Sequence, residues 1–302
     1  MPPNSAFDRA AARSDASRSQ EVRTVNAARS HGILGVALAA AIALAGCASS
    51  PSTRTTTATR IDSILAGNHR SAANRARDAY RHPRQTLLFF GLRPEMTVVE
   101  ITPNPGWYTE VLAPLLREHG RYIAALPQEG ADEYSPRELA EFRAKLESAP
   151  QLYDKVEIAP FRPGQPIVAD GTVDMVVTFR NIHNWMARND TEQAFASMYR
   201  ALKPGGVLGV VEHRAPAAQT QDSRARGGYV GEAYAIKLIE SQGFRLVATS
   251  EINANPKDTK DYPRGVWTLP PTYAEGDKDR DRYSAIGESD RFTLKFVKPR
   301  RR

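Results

Sequence analysis

Between Thr97 and Leu112 an apolar run, an acidic residue, a Pro/Asn/Gly turn and a stretch of helical spacing succeed one another without a gap. That order sets the class of fold. Val98, Val99 and Ile101 suit a strand buried on both faces, whereas Trp107, Val111 and Leu115, with Tyr108 and Leu112 beside them, recur at helical spacing. A buried strand feeding a helix through a tight turn is the first crossover of an α/β sheet. Asn104 is placed to cap that helix, Pro105 suits its first turn, and Gly106 permits close approach of backbone or ligand. The free N–H groups of the turn then face the crevice beyond the strand, where open α/β sheets bind ligands.

Further along, strands are expected at 120–126, 155–159, 173–179, 207–211 and 244–250, with helices at 135–146, 190–202 and 229–241. The helix at 190 opens on Asp190-Thr-Glu-Gln193, which reads as a capping box. Arg291 to Val297 alternates as an antiparallel strand does. The densest chemistry comes directly after the strand at 173–179, in Arg180-Asn-Ile-His-Asn-Trp185. Asn181 offers both an amide donor and an acceptor, His183 is a general-base candidate, and Trp185 offers an aromatic wall to a cation or a flat substrate. The alternative is a histidine satisfied in the core beside a packing tryptophan. Glu212-His-Arg214 ends the next strand, so Glu212 and His213 are further candidates, with surface ion pairing as the competing role. The forty residues 251–290, including Tyr262, Trp267 and Tyr273, are too long for a plain connection, and they read as a cover over the site or as packing on the sheet edge.

Glu100-Ile-Thr-Pro-Asn-Pro-Gly106 resembles the first motif of class I S-adenosylmethionine-dependent methyltransferases, and Asp174 to Trp185 and Leu202 to Glu212 resemble that fold's fourth and fifth strands. More narrowly, the chain resembles bacterial methyltransferases that are often exported. The resemblance, which spans residues 61–298, implies a Rossmann-like, doubly wound sheet of seven strands, mostly parallel with the last one antiparallel. It also implies S-adenosylmethionine as cofactor, held by Glu100, Thr102, Asn104, Gly106, Arg180 and Asn181. His183, or Tyr108, would manage the acceptor's proton, and Trp185, Glu212, His213 and Trp267 would face the substrate. Two departures stand out: Leu126 occupies the place of the acid that binds the cofactor's ribose, with Glu129 nearby, and Thr102 and Asn104 stand where glycines are commonest.

The amino terminus carries a separate signal. Residues 1–31 are polar and aperiodic, and Gly32 to Gly46 is an apolar run shorter than a membrane span, so residues 1–46 read as a signal peptide. The run ends in Leu44-Ala-Gly-Cys47, which resembles the lipobox of bacterial lipoproteins, and residues 47–60 are then expected to form a lipidated tether to a domain at 61–302. With Ala48 next, the resemblance implies the outer membrane, facing the periplasm. Cys47 is the only cysteine, which excludes an intrachain disulfide, a thiolate metal cluster and a cysteine nucleophile in the domain. No metal site is expected. Replacing Cys47 with Ser is expected to abolish fatty-acid labelling and to release the protein from washed membranes, because residues 48–302 hold no comparable apolar span. Labelling and retention that survive the change would overturn the anchor.

The 302 residues are 41% hydrophobic and 25% charged, enough for one domain of ordinary core size plus appendages. The net charge of +7 is dispersed: residues 1–46 hold five arginines against Asp8, Asp15 and Glu21, which leaves +5 for the rest. Without clustered basic residues and interleaved aromatics, a nucleic-acid groove is not expected. The functional expectation is methyl transfer to a small or envelope-associated acceptor. Its rival is a lipid-anchored binding module that keeps the fold without the reaction.

Overall fold

The computed structural model describes residues 51–103, 105–127 and 136–300, with side chains from 55 onward. The leader with Cys47, and also Asn104 and Glu129, lie outside the described residues. Among the described residues no helix is long and apolar enough to cross a membrane.

Seven strands form one sheet in the order β3-β2-β1-β4-β5-β7-β6: β1 Thr97–Ile101, β2 Arg121–Pro127, β3 Val156–Phe161, β4 Val173–Phe179, β5 Leu202–His213, β6 Arg245–Ser250 and β7 Arg291–Val297. All neighbours pair parallel except β7, which runs antiparallel between β5 and β6. Helices α1 Pro51–Leu65, α2 Ala72–Ala76, α3 Asp78–Arg81 and α4 Pro83–Phe90 precede β1. Then come α5 Thr109–Leu116, α6 Pro136–Ser148, α7 Pro150–Tyr153, α8 Ile182–Arg188, α9 Thr191–Ala201, α10 Glu232–Ser241 and α11 Arg280–Ile286.

Side chains alternate along each strand, so the sheet has two cores. Val98, Met175 and Val177 pack with Ile61, Leu87, Phe90, Val111 and Leu112 of α1, α4 and α5. Val99, Ile101 and Val176 pack on the other face with Trp185, Phe195, Met198 and Ile239 of α8, α9 and α10. Burial on both faces explains why the central strands read as unbroken apolar runs.

Three local expectations are corrected. Most of the stretch expected to be a tether is helical, because Thr57, Ala58 and Ile61 are buried on one face of α1. The first crossover helix begins at Thr109 with Tyr108 as its N-cap, since Gly106, at φ 85°, turns the chain first. Asp190 caps α9 without a side-chain bond, and its carboxylate accepts instead from Arg188 Nε at 3.1 Å.

The segment 251–290 is built into the fold. Asn253 Nδ2 donates to Thr86 Oγ1 at 3.0 Å and Thr293 Oγ1 at 2.8 Å, and Tyr229 Oη donates to Asp258 at 2.9 Å. A 3₁₀ turn at Gly265–Thr268 lies against Gly227: a Cβ on Gly265 would collide with the Gly227 carbonyl oxygen, and Val266 N donates to that oxygen at 3.0 Å. The segment thus packs on α4, β7 and the 227–229 loop, and Val266, Trp267 and Pro270 to Thr272 line the crevice.

Candidate active site

The strand order reverses between β1 and β4, and the carboxyl ends of β1, β4 and β5 open there into a cavity of about 210 Å³. Thr102 comes from the end of β1, Phe179 to Asn184 from the end of β4 and start of α8, and His213 from the end of β5. The roof consists of Val266, Trp267, Pro270, Pro271 and Thr272 of the long segment, with Glu288 and Ser289 from the approach to β7. Trp267 also lines a larger cleft of about 500 Å³ bordered by Gln219, Tyr229 and Arg264, so its indole borders both cavities.

His183 is the best-positioned base. Its Nδ1 lies 3.0 Å from Glu212 Oε1, and the same carboxylate accepts from Ile182 N at 2.6 Å and His213 N at 2.8 Å. Glu212 is fully buried, so three N–H donors balance the cost of enclosing its charge. A carboxylate on Nδ1 makes that nitrogen the donor and leaves Nε2 as the lone-pair acceptor. The Trp267 ring stands edge-on to the imidazole at 5.9 Å between centroids. His213, 5.4 Å away, places Nδ1 2.5 Å from Ser289 Oγ. Burial, reinforced by His183, Arg180, Arg291 and Arg81, holds the His213 pKa well below its usual value, so it stays neutral.

His183, Glu212 and His213 also bring metal-ligating atoms within 4.8 Å of one another. Their chemistry argues against a cation there. Both Glu212 oxygens are committed to N–H donors, and the guanidinium charges of Arg180, Arg291 and Arg81 bear on the same space.

The other sequence candidates divide. Asn181 lines the cavity, but its Nδ2 donates to Ile101 O and Thr178 Oγ1, both at 3.0 Å, which leaves its side-chain oxygen for a ligand. Thr102 lines it from a left-handed backbone conformation, φ 55°, in the shape that a glycine would ordinarily provide. Trp185 is corrected from a substrate wall to a core residue, packed against Phe161 and Phe195. Tyr108 is corrected from an alternative base: it stacks on Phe179 at 3.7 Å, burial pushes its pKa to about 12, and it does not line the cavity. Gly106 does not line the cavity, and a Cβ there would point at α6, meeting Lys145 Cδ at 2.9 Å and Phe142 at 3.3 Å. Above the turn, Trp107 donates to Asn74 O at 3.1 Å and lies within reach of Arg70 and Arg81, at 5.2 and 4.7 Å from the ring centroid.

Glu100 lies beneath the first turn and accepts from Tyr122 Oη at 2.6 Å. Burial pushes its carboxyl up to about 8, against the opposing effects of the Tyr122 hydrogen bond and the Arg81 and Arg180 charges. The folded protein thus keeps a proton that the unfolded chain releases near 4.5. Stability from this group is full below the unfolded value and is lost as pH rises through about 8. Glu100→Gln keeps an acceptor for Tyr122 and carries no charge, so it is expected to remove roughly 2 to 3 kcal/mol of the loss in unfolding free energy between about pH 6 and pH 9. Denaturant titrations at the two pH values measure it, and an unchanged pH dependence in the variant would contradict the assignment.

The comparisons with known proteins bear on this geometry. The family described as a methyltransferase domain matches residues 105–210, from the first turn through β4 to β5. A methyltransferase structure from Aquifex aeolicus, described as dependent on S-adenosylmethionine, superposes with TM-score 0.52 at 15% identity over 80% of this chain and 98% of its own. The [4+2]-cyclase SpnF superposes with TM-score 0.53 at 14% identity over 83% of this chain and 96% of its own. No curated protein matches the chain. The fold is that of the class I methyltransferases. The domain match on this fold supports S-adenosylmethionine-dependent methylation and implies S-adenosylmethionine as the cofactor. SpnF, named as a cyclase, shows that the fold alone does not fix the reaction.

The donors present fit the amino-acid end of that cofactor. Thr102 and the Asn181 oxygen offer polar atoms to it beside β1, on the left-handed turn at the β1 terminus. At the end of β2, Leu126 is buried in the core and offers no ribose contact.

Proposed function

We propose that the protein transfers a methyl group from S-adenosylmethionine to a small acceptor, with His183 as general base. The observation that carries this reading is the His183–Glu212 pair at a cavity on the β1/β4 switch point, with the Nε2 lone pair left free. When bound, the cofactor supplies a methyl on a sulfonium leaving group. The chain's own work is then to align the acceptor, exclude water and accept one proton. Glu212 fixes the imidazole tautomer, His183 Nε2 takes the acceptor's proton, and Val266, Trp267, Pro270, Pro271 and Thr272 wall the cavity on the side of the long segment. Thr102 and Asn181 hold the amino-acid end of the cofactor. The lipobox-like segment before Cys47 supports an acceptor in the cell envelope. Calorimetric titration of the protein with S-adenosylmethionine and S-adenosylhomocysteine, and then incubation of envelope extract with methyl-labelled cofactor, tests the reading. Binding and label transfer are expected, and failure of both ligands to bind would refute it.

A further inference from the structure

Four arginines, Arg77, Arg81, Arg180 and Arg291, bear electrostatically on one another beside the cavity. A single carboxylate, Glu288, serves three of them, at 2.6 Å from Arg77 Nε, 3.2 Å from Arg81 Nε and 3.0 Å from Arg291 Nη2. Arg180 is the fourth. Its guanidinium makes no ion pair or hydrogen bond among the described residues, yet the residue lines the cavity. It also holds φ 62°, an uncommon backbone state for a non-glycine residue, at the point where β4 delivers its chain into the site. Burial lowers its pKa only to about 10, so the cation persists at neutral pH. Glu288 and Glu212 act on it only through space, so a half-buried guanidinium that lines the cavity without a direct carboxylate partner is placed to take an anion from outside.

We propose that Arg180 is the carboxylate-binding residue for the acceptor, and that the acceptor is a small organic acid with an apolar body. The position within the cavity selects the acceptor over the cofactor as the source of the carboxylate. Thr102 is the sole lining residue from the β1 side, whereas Arg180 shares the cavity with His183, His213 and Trp267. An anion on Arg180 therefore lies beside the base. Phe179, Val266 and the Pro270-Pro271 pair give the rest of such a molecule apolar contacts. The role as acceptor rests on the methyl-transfer reading, while the anion site itself does not.

The experiment uses benzoate as probe and benzamide as its uncharged counterpart, titrated against the protein with and without S-adenosylhomocysteine. Benzoate is expected to bind at least about tenfold more tightly than benzamide. That preference is expected to vanish in Arg180→Gln and to persist in part in Arg180→Lys, which keeps the charge but loses the planar fork. Benzoate and S-adenosylhomocysteine are expected to bind together, with the latter's affinity little changed in Arg180→Gln. Since no ion pair is broken, both variants are expected to melt no lower than the parent. Equal binding of benzoate and benzamide, or a benzoate preference that survives Arg180→Gln, would overturn the site. Competition between benzoate and S-adenosylhomocysteine, or loss of the latter's binding in Arg180→Gln, would assign Arg180 to the cofactor and overturn the acceptor role. Arg180-dependent benzoate binding by a protein that ignores both cofactor forms would uphold the anion site and refute methyl transfer alone.

Discussion

His183→Ala is expected to lower the rate of methyl transfer at saturating substrate by roughly 10²- to 10⁴-fold, the range for loss of a positioned general base. Thr102 and Asn181, which hold the cofactor's amino-acid end in this reading, make no hydrogen bond to the imidazole, so cofactor affinity should change little. The dyad makes a second, sharper demand. Glu212 touches no ligand in this scheme and acts only through His183 and the backbone of Ile182 and His213. Glu212→Gln should therefore lower kcat while leaving KM near its original value, because a glutamine can present its amide nitrogen to Nδ1 and favour the wrong tautomer. Single-turnover rates with labelled cofactor separate the two steps. Transfer that survives His183→Ala unchanged would leave a methyltransferase standing and remove this base from its mechanism.

Much of this site is legible in the sequence, and the reason is local. His183 and Arg180 lie within four residues of a strand end, and strand ends in a parallel sheet project into one crevice. The apolar run of β4 and the alternation of β7 define those strands to the residue, so the positions of Arg180 and His183 just past the end of β4 are secure. The errors share a different cause. Trp185 directly follows the cavity residues His183 and Asn184, and whether it faces the ligand or the core depends on rotation about the α8 axis, while Tyr108 enters α5 at its N-cap six residues beyond the cavity residue Thr102. Their orientations are set by Phe161, Phe195 and Phe179, which arrive from other elements. Gly106 reads as a place for a ligand to approach, but α6, separated in sequence, supplies Lys145 and Phe142 to fill it. The arginine cluster has no local signal at all: Arg81 and Glu288 meet across 207 residues, and only the antiparallel pairing of β7 with β5 brings Arg291 beside His213. Trp267 stands out in the long segment because an aromatic residue in a loop argues against plain solvation, and it does line the cavity.

Glu288→Gln is expected to destabilise the protein by roughly 3 to 5 kcal/mol, the range for breaking a buried ion pair by removing one partner. The loss is large because one carboxylate is shared. Arg81 and Arg291 are almost wholly buried, and with a neutral amide in place of Glu288 they and Arg77 would lose the carboxylate they share, leaving their repulsion with Arg180 unopposed by it. A stability reserve of about 5 to 15 kcal/mol makes such a change visible as a fall in melting temperature on the order of 10 °C. The same carboxylate sets an acid limit. Burial by itself would raise its pKa, but the charges of Arg81, Arg291, Arg77 and Arg180 outweigh burial and hold it well below the usual carboxylate range. Its stabilisation is therefore complete above the unfolded value of 4.5 and is lost as pH falls below that toward the folded value. Glu288→Gln should lack that part of the acid loss while starting from lower stability at neutral pH. A double-mutant cycle with Arg81→Met separates the pair from the rest: removing one buried cation relieves part of the excess charge, so the double variant should be less destabilised than the sum of the singles by about 1 to 3 kcal/mol. A loss under about 1 kcal/mol for Glu288→Gln alone would mean that the four guanidinium groups tolerate one another without it, and the case for an incoming anion at Arg180 would weaken with it.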